Sequence, residues 1–349
     1  MPISKGVNWF ARGSLMALAI YLGATYLIRF GTSSAPERIR TADGHLSRAN
    51  EKRFRALLND GEKALRDRQY RAAANSFVEA ERSVDGLTDE QYDALKKSRL
   101  QLAEAYKNAG AEADAEDVYR AMITSALRDG NDLLRAKQPE AALRRGQDAE
   151  ELCAHLTGAD RASIQGSMSL SVSSLQALKR YAEAAEKQQH LIDYLKANGY
   201  DNEAGFSQNY WTLAFIDSDA KDWQGAAQAF QMGIDSCDSA LAHQINEGKQ
   251  PTADLTVFRN TGQFNLIIAY YQDGQVSTAL SKAEEFYKEY SERPSDPMHP
   301  WNVAHGADDF AALAVQIAKE THRQDDIDLW SRMAPGGIKV IALHPLQNP

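Results

Sequence analysis

His299, His305, Asp308 and Asp309 fall within eleven residues of one another. Imidazoles and carboxylates at such spacing form a donor set for zinc or another divalent cation. The set holds only two imidazoles, and the two aspartates equally suit the first turn of a helix beginning near Val303, where carboxylates meet the positive end of the helix dipole. Asp217, Asp219 and Asp222 look like paired carboxylates for acid–base work, but they lie between the end of one helix and the turn before Trp223, where capping accounts for them. Ser169, Ser171, Ser173 and Ser174 in GSMSLSVSSL have no G-x-S-x-G elbow around them and read as small residues packed along a helix. No P-loop, G-x-G-x-x-G or H-E-x-x-H occurs. Cys153 and Cys237 stand in no C-x-x-C pair and cannot form a disulfide scaffold. The expected catalytic, cofactor and metal sets are therefore empty. The alternative is a metal-dependent helical enzyme using the His299–Asp309 segment.

The elements that would position such residues follow from composition and pattern. The chain has 349 residues, 39 Lys+Arg, 48 Asp+Glu and a net charge of −9, with 43% hydrophobic and 25% charged residues. That balance describes a folded, water-soluble body and excludes disordered, collagen-like and polytopic membrane proteins. The first 35 residues carry Lys5, Arg12 and Arg29 and no acid, so the remainder is −12. Such a surface argues against a general nucleic-acid binder, whose affinity comes from neutralising phosphates.

Gly13 to Ile28 is uncharged and is flanked by Trp9, Phe10 and Phe30. With Arg12 and Arg29 snorkelling, residues 13–30 predict a single-pass signal anchor between a short tail at 1–12 and a linker at 31–48. Its style is that of a bacterial inner-membrane anchor that exports the remainder of the chain. A cleaved signal peptide ending at Ser33-Ser34-Ala35 competes with it, although Pro36 fits that site poorly, and a buried soluble helix is a third reading. Glu37 to Arg55 has a net charge of +3, suited to anionic headgroups or simply to a solvated linker.

From Ser47 to Gln250 there is one proline, Pro139, and apolar residues recur at three- and four-residue steps, which is helical patterning. The stretch GEKALRDRQYRAAANSFVEA places Gly61, Ala64, Tyr70, Ala73, Phe77 and Ala80 in a frame that returns along the chain. It returns with Ala103, Tyr106, Ala115 and Tyr119, with Val172, Tyr181 and Ala184, with Ala214, Trp223, Ala226 and Phe230, and with Ile267, Val276, Ala279 and Phe286. A weaker copy has Gly130, Pro139, Ala142 and Gly146. Small residues let two helices approach, and aromatics fill the gap to the next pair.

This frame resembles the tetratricopeptide repeat over roughly Ser47 to Tyr290. The key alanine falls at 73, 115, 142, 184, 226 and 279, so three of five intervals are 42 residues, similar to the long-repeat branch found in kinesin light chains. The usual repeat is about 34 residues, and the excess equals about two helical turns. The 27-residue interval before Ala142 predicts one helix from Ala113 through Arg135, and the 53-residue interval before Ala279 predicts a loop at INEGKQPTAD. The resemblance implies an all-α superhelix of six to seven hairpins over 49–290. Pro294, Pro297 and Pro300 close it, and a capping helical pair, Val303 to Glu320 and Asp325 to Met333, comes next within 291–333. The tail at 334–349 carries the apolar run IKVIAL, expected to pack back.

In that family the first helix of each hairpin lines a concave groove at its second, fifth, ninth and twelfth positions. Transferred to this chain, those positions are Arg55, Leu58, Glu62 and Leu65; Lys97, Leu100, Glu104 and Lys107; Gln208, Trp211, Phe215 and Ser218; and Thr261, Phe264, Ile268 and Tyr271. Trp211, Phe215, Phe264 and Tyr271 would form an aromatic stripe of the kind that makes binding hot spots, with Tyr210 competing with Trp211 for the buried slot. The functional expectation is a non-enzymatic, membrane-anchored scaffold that binds a protein or peptide and needs no cofactor. Its partner-binding groove would be Arg55, Glu62, Glu104, Lys107, Gln208, Trp211, Phe215, Phe264 and Tyr271. A self-assembling solenoid is the other alternative.

Overall fold

The computed structural model describes residues 48–333 except 85, 159–160, 202, 204, 250–251 and 292–305. Among the described residues all regular structure is α-helical, in thirteen helices. They are α1 (Arg48–Arg66), α2 (Tyr70–Arg82), α3 (Asp89–Asn108), α4 (Glu112–Arg135), α5 (Pro139–Cys153), α6 (Arg161–Ala177) and α7 (Tyr181–Ala197). They continue with α8 (Ser207–Ala220), α9 (Trp223–Asn246), α10 (Ala253–Gln272), α11 (Val276–Ser291), α12 (Ala307–Glu320) and α13 (Gln324–Met333). Each helix packs chiefly on its neighbours in sequence, so the fold grows by local addition. The predicted anchor at 13–30 with its flanks at 1–12 and 31–47, the tail at 334–349, and His299 and His305 lie outside the described residues. No described helix is long and apolar enough to cross a membrane.

Seven hairpin turns share one backbone form. At each, a single residue takes the left-handed conformation: Arg68 (φ 58°), Gly110 (71°), Lys137 (58°), Lys179 (59°), Lys221 (63°), Gly274 (78°) and His322 (57°). The next residue donates its N–H to a carbonyl five positions back, as from Gln69 to Ala64 (2.8 Å), Gln138 to Leu133 (2.9 Å) and Arg323 to Ala318 (2.9 Å). This is the Schellman closure, which satisfies carbonyls that a helix end would leave bare. Five residues after each left-handed position stands a fully buried alanine, Ala73, Ala115, Ala142, Ala184, Ala226 or Ala279, with Ile327 in the last copy. Seven residues before it stand Gly61, Ala103, Gly130, Val172, Ala214, Ile267 and Val315, all buried. A methyl group added at Gly61 would lie 2.4 Å from the Phe77 ring, which shows how closely the two helices of a hairpin approach.

Connections between hairpins vary. α4 runs unbroken as the sequence predicts, and its 24 residues serve both α3 and α5. Pro139 opens α5 at its first turn, where its missing N–H costs nothing. The predicted loop at INEGKQPTAD is shorter than expected: α9 extends through Asn246 and α10 starts at Ala253, so helix absorbs both of its ends. The capping pair forms as α12 and α13.

The core divides in two. One apolar cluster, including Phe54, Phe77, Leu95, Leu102 and Tyr119, spans α1 to α5, and a larger one, including Trp211, Phe230, Phe310 and Trp330, spans α7 to α13. Small clusters bridge them, around Leu143, Val172 and Leu175, and around Leu133 and Leu170. There α6 presents fully buried Ser167, Ser171 and Ser174, whose hydroxyls donate to Ser163 O (2.6 Å), Glu150 Oε1 (2.6 Å) and Leu170 O (2.7 Å).

Candidate functional site

The groove residues divide by region. On α1, Arg55 is exposed and ion-paired with Glu51, Leu58 and Leu65 are half-buried, and Glu62 accepts from Ser98 Oγ at 2.9 Å. On α3, Lys97 and Glu104 are exposed, Leu100 is half-buried, and the Lys107 ammonium sits 5.1 Å from the centre of the Tyr119 ring. On α8, Gln208 is half-buried and Phe215, also half-buried, meets Phe230 edge to face with centroids 5.5 Å apart. On α10, Tyr271 is half-buried and donates its hydroxyl to Glu320 at 2.6 Å. Burial and Glu320 raise that phenol to about 12.

Trp211 and Phe264 depart from the expected stripe. Trp211 is 2% exposed and Phe264 7% exposed, so both belong to the core. The reason for Trp211 lies in two glycines on other helices. A Cβ at Gly233 of α9 would stand 2.1 Å from the Trp211 indole nitrogen, and one at Gly262 of α10 would stand 3.3 Å from its ring. Absent side chains make the slot the indole fills, and Phe258 closes it edge to face at 5.3 Å. Tyr210 is buried as well, so the two aromatics do not compete. Phe264 packs on Phe310 of α12 with centroids 5.9 Å apart. At the same register, three residues before the small residue of each hairpin, the earlier units carry half-buried Leu58, Leu100 and Leu127. The face remains open in the first three hairpins, carries half-buried Ser169 in the fourth, and is filled by Trp211 and Phe264 in the fifth and sixth.

A second constellation, which no motif announces, joins α2, α3, α4 and α5. Glu81 gathers Arg99 Nη2 (2.7 Å), Ser125 Oγ (2.7 Å) and Arg128. Arg145, fully buried, donates Nε to Asp129 (2.7 Å) and Nη2 to Asp89 (2.8 Å), and stacks 3.6 Å from the Tyr92 ring centre. Lys96 donates to Asp148 at 2.6 Å. Arg145 Nη1 and Asp148 Oδ2 are buried without partners. A cleft of about 10 Å³, room for roughly one water, is lined by Tyr92, Leu95, Lys96, Arg99, Met122 and Ser125. Burial draws Arg99 down to about 10, still cationic near neutrality, and burial with Asp148 raises the Tyr92 phenol far above its ordinary range. The four cations Lys96, Arg99, Arg128 and Arg145 are matched in number by Glu81, Asp89, Asp129 and Asp148, so the network holds helices in register and leaves no net charge for a ligand. Its signal in the sequence is slight: Arg99 and Arg145 interrupt the otherwise apolar faces of Leu95, Leu102, Ala142 and Ala149.

The remaining candidates resolve into caps. Asp309 accepts from the Gly306 N–H at 2.9 Å at the start of α12, and Asp308 is exposed. Asp222 accepts from the Gly225 N–H at 3.0 Å at the start of α9. Burial, then Asp222, raises the Asp217 carboxyl to about 6. Burial raises the Cys237 thiol to about 11, far from a reactive thiolate. Among the described residues no group of three His, Cys, Asp or Glu could hold a metal ion.

No family model matches the chain, and no curated protein matches it. Among solved structures it is similar to the crystal structure of BtubC (BKLC) from P. vanneervenii, with 16% identity and a TM-score of 0.37 over 83% of this chain and 91% of that one. A likeness of that order leaves the functional reading to this chain's own residues.

Proposed function

We propose that the protein is a non-enzymatic scaffold, a tetratricopeptide-type α-solenoid held to the inner membrane by residues 13–30 on the exported side, that binds a protein or peptide along the first helices of its hairpins. The observation that carries this reading is the recurrence of one 12-residue frame in seven hairpins. Identical hairpins stacked side by side bring equivalent side chains into rows. In the first three hairpins such a row holds Leu58, Leu100 and Leu127, half-buried, with Arg55, Lys97, Glu104 and Lys107 beside it. Leucines kept partly in water among charged neighbours suit a segment that supplies its own apolar side chains. Because Trp211 and Phe264 are core residues, binding concentrates on α1, α3 and α4.

Crosslinking co-purification from native membranes tests the reading, run beside a Lys97→Glu, Leu100→Ser, Glu104→Lys variant whose helicity and melting match the parent. A defined partner set that the variant loses is the expected result. Recovery of the same partners by both proteins would move the binding surface elsewhere, and recovery of none would end the scaffold reading.

A further inference from the structure

The first hairpin gathers unpaired cations, which elsewhere among the described residues are mainly scattered lysines, such as Lys97, Lys137, Lys179 and Lys221, with Arg332 near the end. Every described arginine from Arg82 to Arg323 has a carboxylate partner. Among the described residues Arg53, Arg66, Arg68 and Arg71 have none, nor do Lys52 and Lys63, and all six are exposed. Of the carboxylates nearby, Glu51 takes Arg55 and Gln91, Glu62 takes Ser98 and Glu79 takes Arg82, while exposed Asp60 and Asp67 form no ion pair with these cations and offset only part of their charge.

Three of these cations are also aligned. Lys52, Ala56, Asn59, Lys63 and Arg66, all exposed, recur at helical steps on one side of α1, while Phe54, Leu57, Leu58, Gly61 and Leu65 face the packed side. The stripe is about 21 Å long at the helical rise per residue, and exposed Arg68 and Arg71 follow it in sequence, in the turn and at the start of α2. Residues 48–84 carry a net +3, whereas residues 85–349 carry −15. A ligand that reached around the array would meet that acidic remainder. A flat anionic sheet touching only the first hairpin would not, because exposed charges more than about 10 Å away are largely screened at ordinary ionic strength.

We propose that this stripe seats the first hairpin on the anionic phospholipid headgroups of a bilayer, so that the array begins against the membrane. The charge pattern is sufficient for this without the anchor. The uncharged run ending at Ile28, twenty residues before Arg48, brings the surface within reach if residues 13–30 anchor the chain. Each cation near such a surface adds about fivefold to affinity, so Lys52, Lys63 and Arg66 act together where one would be negligible.

The test uses full-length protein reconstituted in vesicles of phosphatidylcholine alone or of phosphatidylcholine mixed with phosphatidylglycerol. A nitroxide is placed at Asn59→Cys on the stripe or at Asn131→Cys on α4, and a nickel-chelating lipid headgroup serves as the relaxing agent. Cys153 and Cys237 are buried and stay unlabelled. The expected result is faster relaxation at position 59 than at 131 in anionic vesicles only, lost in high salt and in a Lys52→Glu, Lys63→Glu, Arg66→Glu variant. Equal relaxation in the two lipid compositions overturns the proposal. So does transfer of the same charge dependence to a single-stranded oligonucleotide, or to self-association, without any response to lipid. Flotation on phosphatidylcholine vesicles reads the anchor separately: a protein that fails to float there yet binds anionic vesicles in a salt-sensitive way has lost the anchor and kept the stripe.

Discussion

The two ends of the array use one hairpin and glue it differently. From α1 to α5 the apolar cluster is threaded by Glu81–Arg99, Asp129–Arg145–Asp89 and Asp148–Lys96, pairs that cross from helix to helix. From α7 to α13 the corresponding space holds rings: Trp211 on Phe258, Phe264 and Phe286 on Phe310, and Tyr287 on Trp330. Between them lies α6 with its buried serines, against which Gly146 of α5 stands so close that a Cβ would meet Ser171 Oγ at 2.6 Å. The frame thus fixes how two helices of a hairpin meet, and leaves open what holds one hairpin to the next. Aromatic joints bury more apolar area and are indifferent to salt, whereas buried ion pairs depend on every partner being present.

Removing one member from each end separates the two kinds of joint most clearly. Arg145→Ala should cost about 3–5 kcal/mol in urea unfolding because it removes the buried cation that Asp129 and Asp89 share, and Trp211→Ala should cost about 3–5 kcal/mol through the cavity it leaves. The two losses then part company. Adding Asp129→Leu should recover much of the first, since well-packed apolar replacements of buried ion pairs are often neutral, and no single second change should recover the other. If Asp129→Leu deepens the loss, the seam is not held by charge pairing.

Gly233→Ala comes next. It drives a methyl into the Trp211 indole and should cost about 1–3 kcal/mol. The same change made with Trp211→Phe should be milder, read as a smaller shift in melting temperature, and equal costs in both backgrounds would mean that Gly233 is needed for another reason.

The turns give a smaller effect of opposite sign. A non-glycine residue in the left-handed region is strained by about 1 kcal/mol. Lys137→Gly and Lys179→Gly should therefore each stabilise by roughly that amount, and the same substitution at Ala136, one residue earlier and outside that region, should not. Two-state denaturant midpoints would show it.

The smallest effect depends on pH. Asp217 is raised from its ordinary 3.8 to about 6 in the folded protein. The native state therefore holds this proton more tightly than the unfolded chain between those values. Stability from this group is greatest below about 4, falls as pH rises to about 6 and stays lowered above it. Asp217→Asn should stabilise by about 1 kcal/mol at pH 7, after allowing for solvent screening of a half-buried group, and by nothing near pH 3.5. A gain independent of pH would assign the effect to something other than ionisation.

The part of the fold legible in the residues is the part encoded at short range. Gly61 and Ala73 are twelve apart, as are Ala103 and Ala115 or Ala214 and Ala226, and that local spacing, read through its resemblance to a known repeat, predicts these hairpins but not the last, whose Val315 and Ile327 share it. The turns themselves are less visible, since glycine marks only Gly110 and Gly274 and a basic residue or histidine occupies the other five. Trp211 misleads because its burial is decided by Gly233 and Gly262, on helices that no local pattern connects to α8. Arg145 escapes notice for the same reason: its partner Asp89 lies 56 residues upstream. Side-chain environments set by distant absences or distant charges leave almost no trace in a local frame.

The unbroken α4 has a mechanical consequence. It is at once the second helix of one hairpin and the first of the next, a rod of about 36 Å from which α3 and α5 both hang. Elsewhere a short connection between hairpins can act as a joint, but here rotation of one hairpin against the other requires bending a continuous helix. Under a pulling force these two hairpins should therefore come apart as one long step on a force–extension trace, where their neighbours give way one at a time.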